Sequence, residues 1–163
     1  MSMQTLQRAN THIRISRIAT VIFLAASLAG ISRAADNLRL NQHLDYSSDS
    51  QDGLLITGDH MEEGVAAGKP NYVIFYGEGC YNSKHQARRT VALYEKYKGR
   101  VQFVIVDLDR AQSPAQQALV KKYYKGSIPH VTILDSNGEA VYDQAGEVEE
   151  ASISHILDSA LGQ

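Results

Sequence analysis

The sequence predicts an α/β domain built on a central mixed β-sheet with helices on both faces. Three observations predict it. Tyr72 to Tyr76 (YVIFY) and Val101 to Val106 (VQFVIV) are short runs rich in β-branched and aromatic residues, the pattern of strands covered on both faces. Between them Ala87, Val91, Tyr94 and Tyr97 recur at helical steps before Gly99, which makes a strand–helix–strand unit. Further on, Asp135-Ser136-Asn137-Gly138-Glu139 separates the extended runs Val131–Leu134 and Ala140–Tyr142, and an Asn-Gly turn between such runs signals a hairpin.

Taken in order, residues 1–34 have the parts of an export signal. Arg8, Arg14 and Arg17 precede Ile18 to Ile31, a weakly polar to apolar run of 14 residues, and Ser32-Arg33-Ala34 supplies small residues for cleavage after Ala34 or Ala35. Fourteen residues suit a signal segment better than a membrane span. The alternative is an uncleaved anchor at the outer face of a membrane, and Arg33 at the cleavage site speaks for it. Residues 35–53 are dominated by Asp, Asn, Ser and Gln and are expected to be a mobile linker, and 54–163 to be the folded domain. A helix is expected over Asp59 to Ala67, stopped by Gly68-Lys69-Pro70, and another over Ser83 to Lys98. A third helix opens with Ser113 as N-cap and Pro114 as its first residue, burying Ala115, Ala118, Leu119 and Tyr123. The last buries Ile153, Ile156, Leu157, Ala160 and Leu161.

Composition narrows the chemistry. Of 163 residues, 16 are Lys or Arg and 18 are Asp or Glu, but four of the arginines lie in the acid-free leader. The mature chain therefore carries 12 basic against 18 acidic residues, a net −6, and lacks the basic footprint of a nucleic-acid binder. The single cysteine can close no intrachain disulfide and no multi-thiolate zinc site. No Gly-rich phosphate loop follows a strand, and His43, His60 and His155 show no ligand spacing, so no cofactor and no metal is expected.

The chemistry-bearing residue is Cys80, in the string Phe75-Tyr76-Gly77-Glu78-Gly79-Cys80-Tyr81-Asn82-Ser83-Lys84. It lies between a strand and a helix N-terminus, where unpaired N–H groups and the helix dipole favour thiolate over thiol. Lys84 and His85 would add to that effect if they point inward, and Glu78 would oppose it. The competing reading is a small buried hydrophobe. His130 either pairs with Cys80 or is a half-exposed strand residue.

From about Gly58 to Leu161 the chain resembles the thioredoxin family. Lys69-Pro70, the aromatic strand leading to Cys80, Val106-Asp107, Ser127-Ile128-Pro129, Asn137-Gly138 and Gly146 all fall where that family places comparable residues. The resemblance implies a thioredoxin-like fold, a cis peptide bond before Pro129, and a substrate segment pairing with the backbone of Ile128. The departures matter as much. The family's Cys-x-x-Cys is here Cys80-Tyr81-Asn82-Ser83, its buried acid aligns with Ile74, and its tryptophan before the cysteine aligns with Gly79. A lone thiol can attack a disulfide but cannot resolve the mixed disulfide it forms. Ser83 either donates a hydrogen bond to the Cys80 thiolate or satisfies the helix backbone. Tyr81 is either an exposed recognition residue or cover over Pro129.

The resulting expectation is an exported single-cysteine protein exchanging disulfides through Cys80. Its partners would be cysteine-containing exported proteins or a small-molecule thiol, with membrane contact only if the leader is uncleaved. A monomer is expected. The alternatives are a binding module that keeps the groove without turnover and a dimer linked through Cys80.

Overall fold

The computed structural model describes residues 35–50 and 53–163; the leader expected over 1–34 lies outside them. The elements run β1 (Asp36–Leu40), β2 (Ile56–Asp59), β3 (Asn71–Tyr76), α1 (Tyr81–Tyr97), β4 (Gln102–Asp107), α2 (Pro114–Tyr123), β5 (His130–Leu134), β6 (Ala140–Ala145) and α3 (Glu150–Ala160). The main sheet has the order β4-β3-β5-β6. β3 and β4 are parallel, in register from Asn71↔Gln102 to Tyr76↔Asp107, whereas β5 pairs antiparallel with β3 and β6 antiparallel with β5. Every residue of β3, β4 and β5 is buried, as expected of strands with cover on both sides.

The pleat sorts the core into two layers. Tyr72, Ile74 and Tyr76 point with Phe103, Ile105, Val131 and Ile133 toward α1 and α3, meeting Ala87, Leu93, Tyr94, Tyr97, Ile153 and Leu157. Val73, Phe75, Val104, Val106 and Leu134 face the other way, onto Leu119 and Tyr123 of α2. The hairpin between β5 and β6 closes with Gly138 at φ +82°, a conformation side chains disfavour, while the Asp135 carboxylate accepts the N–H groups of Asn137 and Glu139.

Three sequence expectations need correction. Residues 36–53 are not a tether throughout. β1 pairs antiparallel with β2, Leu38 and Tyr46 are buried in the α1/α3 layer, and the Tyr46 hydroxyl donates to the Leu55 carbonyl at 2.6 Å. No helix forms over 59–67. Its backbone carbonyls are claimed by side chains instead: Gln116 donates to Met61, Ser113 to Glu62, Gln102 to Gly64 and Asn71 to Ala66. Asn71 also accepts the Ala66 N–H, so the segment is held in a non-helical course by side chains outside it. On α2 it is Gln116, not Ala115 or Ala118, that is buried, because its amide bridges the Met61 and Ile105 carbonyls while completing a capping box with Ser113.

Leu38 tests the first correction. It is 2% exposed, so Leu38→Ala should lower the unfolding free energy by about 2–4 kcal/mol, read as a shift in urea midpoint. A tether residue would give no shift.

Candidate functional site

Parallel β3 and β4 end together at Tyr76 and Asp107, and the loop after β3 delivers Cys80 to α1 at this edge of the sheet. Cys80 is the N-cap residue of α1. Its φ/ψ of −90°/121° is extended, its side chain makes no capping hydrogen bond, and its carbonyl accepts the Lys84 N–H at 3.0 Å, the first bond of the helix. The sulfur-bearing residue is half-buried. The greasy-core reading of this cysteine therefore does not apply.

The loop leading to it is fixed at Gly77 and Glu78. Gly77 N–H donates to Ser83 Oγ at 3.4 Å, and the Gly77 carbonyl accepts the Cys80 N–H at the same distance. A methyl at position 77 would come within 2.7 Å of Ile128 Cδ1, so glycine is what lets this loop lie against the Ile128–Pro129 segment. Glu78 N–H donates to Asp109 Oδ2 at 2.7 Å, and its buried carboxylate takes Arg110 Nε at 2.6 Å. The Ile128–Pro129 peptide bond is cis. Ile128 lies two residues before Phe75↔His130, where the β3–β5 ladder stops, and the Pro129 carbonyl accepts the Gly146 N–H at 2.8 Å.

Of the residues singled out from the sequence, Cys80, Ser83 and Ile128 thus meet around Gly77. Ser83 is fully buried and serves the loop backbone. Tyr81 is 36% exposed and packs tilted against His85 with ring centroids 4.1 Å apart, while His85 Nδ1 lies 3.4 Å from a Glu147 carboxylate that also holds Arg89. His130 is not a half-exposed strand residue. It is 1% exposed, sits edge-on to Phe75 in the α2 layer, and places Nε2 2.7 Å from Asp143, whose other oxygen takes Lys125.

Two features escaped the sequence reading. One is the Glu78–Asp107–Arg110 group beside Tyr76. Burial, reinforced by the charge of Glu78, pushes the Asp107 carboxyl up to about 6. The sequence shows Asp107 and Asp109 only as strand-end acids, and nothing in it pairs them with Glu78. The other is that Lys84 is completely buried and its ammonium is met by Asp45, Ser48 and Ser50, from the stretch expected to be unstructured.

A parallel strand edge that presents a half-buried cysteine at a helix N-terminus, after a loop whose Gly77 lies against a cis-proline segment, defines an α/β domain of the thiol-bearing kind. Residues 58–161 match the family described as thioredoxin-like domain, and the chain belongs to it, with the thioredoxin-like fold and one cysteine. It is 32% identical over 120 residues to the chloroplastic thioredoxin-like protein HCF164 of Oryza sativa, covering 74% of this chain and 44% of that protein. The Arabidopsis thaliana protein of the same name is 30% identical over 105 residues, 64% of this chain and 39% of its own. A thiol:disulfide interchange protein TxlA homolog of Synechocystis is 30% identical over 80 residues, 49% of this chain and 43% of its own. The chain thus spans less than half the length of these curated relatives.

The Asp107 environment predicts a pH dependence. A carboxyl raised in the folded state contributes stability fully below its unfolded value of 3.8 and loses it as pH rises through about 6. Asp107→Asn should therefore be more stable than the parent at pH 8, by on the order of 2 kcal/mol, and show no such gain at pH 4. Urea titrations across that range measure the difference.

Proposed function

We propose that this protein is an exported single-thiol exchange protein whose Cys80 forms mixed disulfides with cysteine-containing client proteins lying against Ile128 and Pro129. The thiolate attacks one sulfur of a client disulfide, forming the Cys80–client bond and expelling the other client sulfur as a thiolate that takes up a proton. A second thiol, from the client or a small molecule, then attacks the mixed disulfide and returns Cys80. Electrons come from that thiol, so the chain itself ends each cycle reduced. The observation that carries this reading is Cys80 itself: half-exposed, free of any capping hydrogen bond, and seated at the first turn of α1 where backbone N–H groups favour a thiolate. The Synechocystis relative, named for thiol:disulfide interchange, supports the reaction class. Export rests on the leader sequence. Ser83, buried beneath the loop, supports the reaction by holding Gly77, and Tyr81 offers the exposed aromatic surface beside the sulfur for client contact.

Isolation without reductant from the compartment that receives the protein should yield a set of clients bound through Cys80, all lost in Cys80→Ser. Recovery of none, or of only a disulfide-linked dimer, would overturn the proposal in favour of the binding module or the covalent dimer. The missing resolving thiol can be restored. Ser83→Cys should clear most trapped adducts and leave a protein that itself becomes oxidised after reducing a model disulfide, read by thiol counting before and after turnover.

A further inference from the structure

The segment Asp45–Ser50, polar and without any part in the exchange just described, folds onto the first turn of α1. Asp49 Oδ1 accepts the Tyr81 N–H at 2.6 Å, the first amide of the helix after Cys80. Lys84, one turn on and with no exposed surface, donates its Nζ to the Asp45 carbonyl at 2.6 Å, the Ser48 carbonyl at 3.1 Å and Ser50 Oγ at 2.7 Å. The Asp45 carboxylate is in turn taken by Ser47 and Ser48, which holds it at about 2. The acid that caps α1 therefore comes from outside the helix, anchored by a lysine of the helix.

Covalent geometry fixes what this does to Cys80. An atom bonded to the Tyr81 N–H lies within about 8 Å of the sulfur on the preceding residue, inside the range over which charges act on one another at ordinary salt. The Asp49 carboxylate thus satisfies the first amide of the helix and sets a negative charge near the sulfur, leaving to Cys80 only the later amides of the first turn that an N-cap side chain reaches, and that charge repels a second negative charge on the sulfur. The inference rests on Cys80 being the nucleophile proposed above. We infer that Asp49 is a positioning residue that restrains Cys80: held on the Tyr81 N–H by the Lys84-anchored strap Asp45–Ser50, its charge sets the pH at which the sulfur becomes reactive.

The other charged or titratable groups around this turn are Lys84, His85 and Tyr81 of α1, Glu78 on the preceding loop, Asp107 at the end of β4 with Asp109 and Arg110 after it, Asp45 in the strap, Glu147 beside His85, and His130 with Asp143 and Lys125 beyond Pro129. Asp49→Asn changes none of them and keeps an oxygen to accept the Tyr81 N–H. Because the chain has one cysteine, iodoacetamide alkylation of the full chain reports Cys80 alone. Asp49→Asn should alkylate about 3- to 10-fold faster than the parent near pH 7, with its whole pH profile moved to lower pH. Asp49→Glu should restore the parent profile, and the gap should narrow in 1 M salt, which a purely structural effect would not do. If the parent alkylates well ahead of its urea-unfolded form and Asp49→Asn gives the same profile, the restraint is overturned while the nucleophile stands. If neither folded chain outpaces the unfolded one at any pH, Cys80 is not activated and both fall.

Discussion

The chemistry of this domain depends on how firmly three residues, Gly77 to Gly79, are held between a buried strand and a helix. A loop that short has few internal bonds, so its order has to come from outside it. Ser83 takes one amide from the helix side, Asp109 takes the next from the far side of β4, and Ile128 packs where a side chain at position 77 would be. Each contact comes from a different element: α1, the loop after β4, and the segment before β5. The sheet therefore serves as the jig. Parallel β3 and β4 bring Tyr76 and Asp107 level, and antiparallel β5 brings Ile128 to the same edge, so that the cysteine is located by all three strands at once.

Lys84 shows how the N-terminal segment joins this arrangement. A buried ammonium is costly unless its protons are met, and here they meet two carbonyls and a hydroxyl, all from 45–50. A mostly polar stretch is thereby ordered through its backbone oxygens as well as through its one core residue, Tyr46. The same logic orders 61–66, where Gln116, Ser113, Gln102 and Asn71 collect the carbonyls. Both segments gain fixed shape by satisfying polar groups from the folded body, and both border the functional edge.

That distinction explains what the sequence made legible. β3, β4, α1, α2, α3 and the Asn137-Gly138 hairpin follow from local periodicity, caps and turn chemistry, each readable within a dozen residues, and so does the location of Cys80 at a helix start. The expected helix over 59–67 had the local propensity but lost to side chains up to 55 residues away. β1 was hidden because a five-residue strand with only Leu38 fully buried carries almost no alternation signal. Asp49, Lys84 and the Glu78–Arg110 pair were illegible for the same reason: a serine- and aspartate-rich run reads as solvated chain unless the lysine that gathers it is known to be buried.

The buried position of Ser83 bears on what a second cysteine would cost this loop. A second cysteine at that place would sit where the loop's Gly77 amide finds its acceptor, and sulfur accepts an amide hydrogen bond far more weakly than a hydroxyl oxygen does. The serine therefore fastens the loop better than a cysteine at that place would. With glycine at 77 and 79 the loop has little side-chain bulk of its own to fix it, so backbone satisfaction carries more of the burden. The proposed exchange through a lone thiol asks only that Cys80 be held steady, and the bonds around Gly77 hold the loop that carries it.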